Sequence, residues 1–337
     1  MIIRTPATTL ARTLRSGPQA GFTLIEMMIA ITIGLGILAG LVGVLSANSN
    51  NARSNDRTSE LMSNGRYALN SMKSELRQAG FRGYTWGEPT VITPSTLGAL
   101  SNECLESGAS AGAFISNIRQ GIWGANNSNP FSGSCIPSTS FSAGNDVLVV
   151  RRVAAMPTPP LTPSLNANTI YFQSSYAIGQ IFRGTTAPVF DASQVPVTSF
   201  AVQIYVYYIS PFSVSSSESP LVPALYRVSL QSDGSMSREL VASGIEHMHV
   251  QYGKLIPGLV PTTQFFNTLS GASTTTASTE WDYVNLVRIW LLARNETAEP
   301  GYVNSNVYVL GDSSYDYSAT PDGFRRQVFS TVVGLRN

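Results

Sequence analysis

Charge and histidine are scarce in this chain. Only 12% of its 337 residues are charged and the formal net charge is +1, so no broad basic surface exists to hold a polyanion, and nucleic acid is left without support. Histidine occurs twice, at His247 and His249. The pair falls on one face of an expected strand with no third ligand in view, which excludes an ordinary metal centre and leaves a solvated or edge-strand pair. Cysteine also occurs twice, at Cys104 and Cys135, and two thiols without neighbouring histidines make a poor metal site. A second apolar run long enough to cross a bilayer is absent, as is any period that would indicate a repeat architecture.

What the chain does have is one long apolar run near its start. From Phe22 to Ala47 every residue is apolar or small and neutral except Glu26, and about 20 such residues cross the hydrocarbon core. Arg4, Arg12 and Arg15 precede the run with no acidic residue among them, which by the positive-inside rule keeps the N-terminus cytoplasmic and exports everything after Ala47. A carboxylate inside such a helix costs roughly 2.5 to 3.5 kcal/mol on insertion scales, so Glu26 needs a reason. Snorkelling to the headgroups is one. On the same face Phe22, Glu26, Ile29, Ile33, Gly36, Gly40 and Gly43 form a stripe. Within it "GILAG" has the spacing that lets membrane helices pack backbone to backbone, unless the glycines are merely tolerated. Gly34, Gly36, Gly40 and Gly43 each weaken the helix by up to about 1 kcal/mol relative to Ala, which makes this the stretch expected to melt on packing.

The run is preceded, not followed, by its small-residue junction, unlike an ordinary secretory signal. "GFTLIE" at Gly21 to Glu26, behind a short basic leader, resembles the class III signal of type IV pilins and pseudopilins. The resemblance implies cleavage by prepilin peptidase between Gly21 and Phe22, methylation of Phe22, and a role for Glu26 in assembly, paired with the freed amine of a neighbouring subunit. Burying either charge alone is costly, and pairing relieves both. Because Phe22 and Glu26 lie four apart, a contact within one chain is an equally open pairing.

Beyond the membrane run, Leu61, Gly65, Ala68, Leu69, Met72, Leu76 and Ala79 keep helical spacing among interspersed charges, as an amphipathic helix on a globular core does, with Gly80 as its stop. Residues 81–145 read as a loop-rich insertion. Its two cysteines lie in an exported, oxidising compartment, which favours a disulfide contributing roughly 3 to 4 kcal/mol in the chain-entropy model. From Asp146, strands are expected at Asp146 to Val153, Val197 to Ile209, Ala224 to Leu230 and Tyr283 to Arg294. "SDGS" at Ser232 to Ser235 reads as a hairpin turn, Pro157, Pro159, Pro160 and Pro163 as a connector, and Ser213 to Ser219 as a long exposed loop. The expected organisation is a leader at 1–21, an assembly helix at 22–47, an amphipathic continuation at 48–80, the insertion at 81–145 and a β-rich head at 146–337. The fold class is α+β, type IV pilin-like: a long N-terminal helix on an antiparallel sheet.

"SNGRYALNSMKSELRQAGFRGY" at Ser63 to Tyr84, "LVASGIEHMHVQYG" at Leu240 to Gly253 and "FSTVVGLRN" at Phe329 to Asn337 resemble the PilW-type minor pilins. Many relatives place a cysteine just after the glycine at the helix end, where this chain has Tyr84, so the family's disulfide layout does not transfer to Cys104 and Cys135. The resemblance implies a structural protein that primes pilus assembly. Its implied partners are prepilin peptidase, the major pilin, other minor pilins and a PilY-type tip adhesin. It would sit in the inner membrane before assembly and in the filament at the cell surface afterwards, with no cofactor. The J-type minor pseudopilin of type II secretion shares the signal and a similar fold. A pilin-like module whose loops bind a surface or DNA is the alternative of another class.

One acidic stretch tests the enzyme and calcium readings. "GDSSYDYSATPDG" at Gly311 to Gly323 spaces Asp312, Ser314, Asp316 and Ser318 as in a calcium loop, but Tyr317 stands where the turn needs glycine and Gly323 where the bidentate glutamate belongs. Its Gly-Asp-Ser start is similar to that of some esterases, yet no histidine follows, so the usual catalytic order is incomplete and an enzyme is not expected.

Overall fold

The computed structural model describes residues 21–86, 97–98, 100–158, 165–191 and 193–335. The leader up to Ala20, and Pro159, Pro160 and Pro163 of the expected connector, lie outside the described residues. The chain divides into two compact units, Met1–Asn55 and Asp56–Asn337, and helix α1, Leu24–Leu76, contributes to both.

In the first unit α1 leaves its large apolar side chains uncovered, from Leu24 through Leu45. In the second unit the sequence changes character. Leu61, Gly65, Ala68, Met72 and Leu76 are buried, stepping by fours and threes along the face the spacing predicted. Gly65 lies flush against the ring of Phe329, with no room for a side chain. Asn64 donates to Ser243 Oγ at 3.3 Å, and Glu75 pairs with Arg152 at 2.6 Å. After Leu76 the last turn tightens, and Gly80 takes the left-handed conformation (φ 77°) that ends the helix. Its N–H then donates to Arg151 O at 2.9 Å.

The head is antiparallel throughout its described sheets. Strands β1 (Ile122–Ala125), β2 (Val147–Val153), β3 (Ile170–Ser174), β4 (Gly179–Arg183), β5 (Thr198–Ser210), β6 (Ala224–Leu230) and β7 (Met236–Ser243) form a seven-stranded sheet around β5. Strands β8 (Ile245–Ile256), β9 (Thr262–Phe266), β10 (Val284–Arg294) and β13 (Arg326–Gly334) form a second sheet in the order β13-β10-β8-β9. Strands β11 (Val307–Leu310) and β12 (Ser313–Asp316) make a separate hairpin. The four strands expected from alternation coincide with β2, β5, β6 and β10 to within a residue or two. "SDGS" turns β6 into β7, with Gly234 at φ 82°. β1 begins inside the stretch expected to be loop-rich, because its four residues are too few to show a period. The Ser213 to Ser219 loop is drawn tight: Glu218 accepts the N–H groups of Ser213, Val214 and Val222 at 2.7, 3.0 and 2.9 Å.

One hydrophobic core joins α1, both large sheets and the 81–145 segment, which contributes Phe114, Ile115, Ile118, Phe131 and Ile136. A buried cation anchors that segment. Arg151 on β2 is fully buried and donates to Phe114 O, Gln120 O and Ser273 O at 3.2, 3.3 and 2.9 Å. Burial pulls its guanidinium down to about 9, against the opposing charges of Glu106 and Glu103. Glu103 in turn accepts the N–H groups of Gly112, Phe114 and Ile115 at 2.6, 3.1 and 3.3 Å around the short helix α2, Ala113–Ser116.

The histidine expectation is corrected. β8 is an inner strand, and His249 upon it is buried between two carboxylates: Nδ1 to Asp146 Oδ2 at 3.0 Å and Nε2 to Asp312 Oδ1 at 2.8 Å. Burial alone would lower its pKa, but the hydrogen bonds and charges of Asp146 and Asp312 outweigh it and hold the imidazole above its ordinary value. Asp312 also accepts from Asn267 at 2.6 Å. The acidic stretch therefore supplies the turn and the second strand of the β11–β12 hairpin, and that turn is bolted to β8. His247 stacks on Tyr315 with ring centroids 3.7 Å apart, and burial pushes it down to about 4. Among the described residues no group of three or more His, Cys, Asp or Glu side chains is placed to hold a metal.

Candidate functional site: the start of the N-terminal helix

Gly21, Phe22 and Thr23 precede the first helical residue, Leu24. Phe22 is 84% exposed. Thr23 occupies the N-cap position and Glu26 the third helical position. Glu26 Oε2 accepts Thr23 N at 2.9 Å and Thr23 Oγ1 at 2.8 Å, while Thr23 Oγ1 stands 3.3 Å from Glu26 N. This reciprocal arrangement is a capping box, and "TLIE" is its sequence pattern. The Thr-x-x-Glu spacing is the local signal of this cap, and it coincides with a charge set into an apolar run.

The box adds a partner to the three uses the sequence left open for Glu26. In the uncleaved chain Phe22 N is an amide, so no ammonium exists for Glu26 to meet, and the carboxylate closes its own helix. A carboxylate in the first turn also suits the helix dipole. Oε1 makes no hydrogen bond to the described residues, so one oxygen of the carboxylate remains for an amine while the other holds the cap. Further along, Thr32 Oγ1 returns its proton to Met28 O or Ile29 O at 3.1 and 2.9 Å, which satisfies the hydroxyl within an apolar segment.

The glycines of the stripe face nothing. A side chain built at Gly34, Gly36, Gly40 or Gly43 would meet no atom within 4 Å, and the helix runs unbroken through all four. Uncovered glycines at these positions leave the backbone open to close approach by another helix.

In the head, Cys104 and Cys135 form a disulfide, and both residues are buried. Ser134 beside it bridges Leu105, accepting its N–H at 3.0 Å and donating to its carbonyl at 2.9 Å. The link thus ties the 81–145 segment to itself where Arg151 ties it to the sheet.

Two family models match the chain. The Prokaryotic N-terminal methylation motif matches residues 17–42, which contain the junction at Gly21, the capping box and three of the four glycines. The model for Type IV Pilus-assembly protein W matches residues 206–337, from the middle of β5 through β13. No curated protein and no solved structure matches the chain. A long apolar N-terminal helix with an antiparallel sheet domain is a pilin-like α+β fold. The two matches, at opposite ends of the chain, support a type IV pilus minor pilin. The methylation motif and the bare apolar helix together suit a membrane-anchored pilin.

Proposed function

We propose that this protein is a minor pilin that primes or supports type IV pilus assembly in a tip-associated complex with other minor pilins, the major pilin and a PilY-type adhesin. Prepilin peptidase cuts between Gly21 and Phe22, and Phe22 becomes the methylated N-terminal residue. Before assembly the apolar part of α1 spans the inner membrane once, N-terminus inside, with the head in the periplasm. Glu26 then receives the amine of a neighbouring subunit. The observation that carries this reading is the methylation motif standing directly on the apolar half of α1, whose large side chains from Leu24 to Leu45 and whose glycines are uncovered. That surface requires lipid first and other helices afterwards.

Glu26→Ala tests it. The substitution removes the one costly side chain of the segment, so membrane insertion and cleavage at Gly21 persist. Recovery of partner pilins in pull-downs and surface piliation fall sharply. Wild-type pull-down and piliation by a strain carrying only this change would show that Glu26 serves its own helix cap alone. Mass spectrometry of the membrane fraction reads the processing step: the mature chain begins at Phe22, and a chain retaining Met1 would overturn the reading.

A further inference from the structure

The strap that follows α1 has no part in the reading above. Its backbone is fixed at several points: Val153 N donates to Phe81 O at 2.9 Å, Tyr84 N to Ser174 Oγ at 2.8 Å and Trp86 N to Tyr176 O at 3.2 Å. Gly83 has φ 66°, and a side chain there would strike the Phe200 ring, so the strap has one way to lie. Phe81 packs on the core, but Tyr84 and Trp86 turn outward beside Tyr176 of the β3–β4 connection. Trp86 is 86% exposed, Tyr176 56% and Tyr84 40%, and Tyr84 meets Tyr176 edge to face at 6.1 Å. These rings border an open cleft of about 620 Å³ whose lining also includes Trp281, Arg119 and Asp282.

A cluster of exposed aromatic rings on an immobilised backbone marks an interaction site, because their open faces add nothing to the core and a ligand meets them at little ordering cost. The cleft volume is that of a small-molecule site, and its lining combines rings with a few polar groups. Arg119 Nε lies 3.1 Å from Asp282 Oδ2, which neutralises both. Arg82 also lies in the lining. Two arginines beside one aspartate among the described lining residues are not the row of cations that a phosphate backbone draws on. A pyranose ring suits this surface. Its C–H face carries slight positive charge and packs on the negative face of an aromatic ring, while its hydroxyl rim takes up hydrogen bonds from the polar wall.

We propose that this cleft binds a glycan, a pyranose unit stacking on Trp86 and Tyr176 with its hydroxyls toward Arg119 and Asp282. The site is independent of the assembly helix. The test uses the full-length protein in a zwitterionic detergent free of sugar headgroups, with cellobiose, lactose and N,N′-diacetylchitobiose as probes in saturation-transfer NMR. The expected result is saturable transfer to at least one of them. Trp86→Ala and Tyr176→Ala should each weaken it about tenfold or more, whereas Leu259→Ala, a fully exposed apolar residue outside the cleft, should leave it unchanged. Both cleft variants remove exposed rings, so near-UV circular dichroism should report an intact head and pilus incorporation should stay normal. Absence of saturable transfer to all three sugars, binding that survives both cleft variants, or saturable binding of an oligodeoxythymidylate alone would each overturn the proposal.

Discussion

Four helix glycines of the first compact unit and three packed glycines of the second stand in opposite surroundings. In the first, Gly34, Gly36, Gly40 and Gly43 stand in open space. In the second, Gly65 abuts the Phe329 ring, Gly121 abuts the backbone of Gly80, and Gly124 abuts the hydroxyl of Tyr252. In one region glycine leaves the helix backbone bare, and in the other it makes room for a neighbour already in place. The packing that stabilises the monomer lies in the head, and the apolar half of α1 leaves its surface uncovered.

Four measurements sharpen that contrast. The largest effect is expected from Cys135→Ser, which opens the link to Cys104; loss of a native disulfide costs about 2 to 5 kcal/mol, so the head's thermal midpoint should drop well below wild type. Next, Gly121→Val drives a side chain into the Gly80 backbone and should cost about 1 to 3 kcal/mol by overpacking. An unchanged midpoint would mean that the strap can shift away, which the hydrogen bond from Gly80 to Arg151 opposes.

A pH dependence follows from the bolt on the β11–β12 hairpin. The folded pKa of His249 is raised, so its contribution is complete below the unfolded value of about 6.5 and is lost as pH rises through the folded value. Asp312 is lowered, by Asn267 first, so its contribution is present above about 3.9 and is lost as pH falls through its folded value. Hydrogen exchange in Val307–Asp316 should therefore quicken on the alkaline side, and His249→Gln should flatten that limb. A hairpin equally protected from neutral to alkaline pH would show that Asp312 needs no charged partner.

The smallest effect on the monomer is expected at the bare helix. Gly36→Ala meets no atom and should leave the head's midpoint unchanged while raising helix propensity by up to about 1 kcal/mol. Any loss should appear only in pull-down of partner pilins. A drop in the midpoint of the isolated monomer would break the division between the two regions.

Local signals were legible where a short period or a fixed motif carries them. The apolar run, the buried face at Leu61 to Leu76 and strands β2, β5, β6 and β10 follow from hydropathy and alternation, because each is decided by neighbours in sequence. The capping box of Thr23 and Glu26 was equally local and was obscured by the stronger signal of a charge in an apolar run. The disulfide followed from compartment and from the chain having only two cysteines. Tertiary structure alone decided the rest. It placed His249 between Asp146 and Asp312, residues far apart in the chain, and so turned a pair expected at the surface into a buried bolt. It pinned the 81–145 segment to the sheet through Arg151, whose charge in a strand gives no hint of three carbonyls waiting elsewhere. It also turned Tyr84, Trp86 and Tyr176 toward one cleft, since a ring's exposure depends on which distant strands pack beneath its backbone, and no spacing along the chain encodes that.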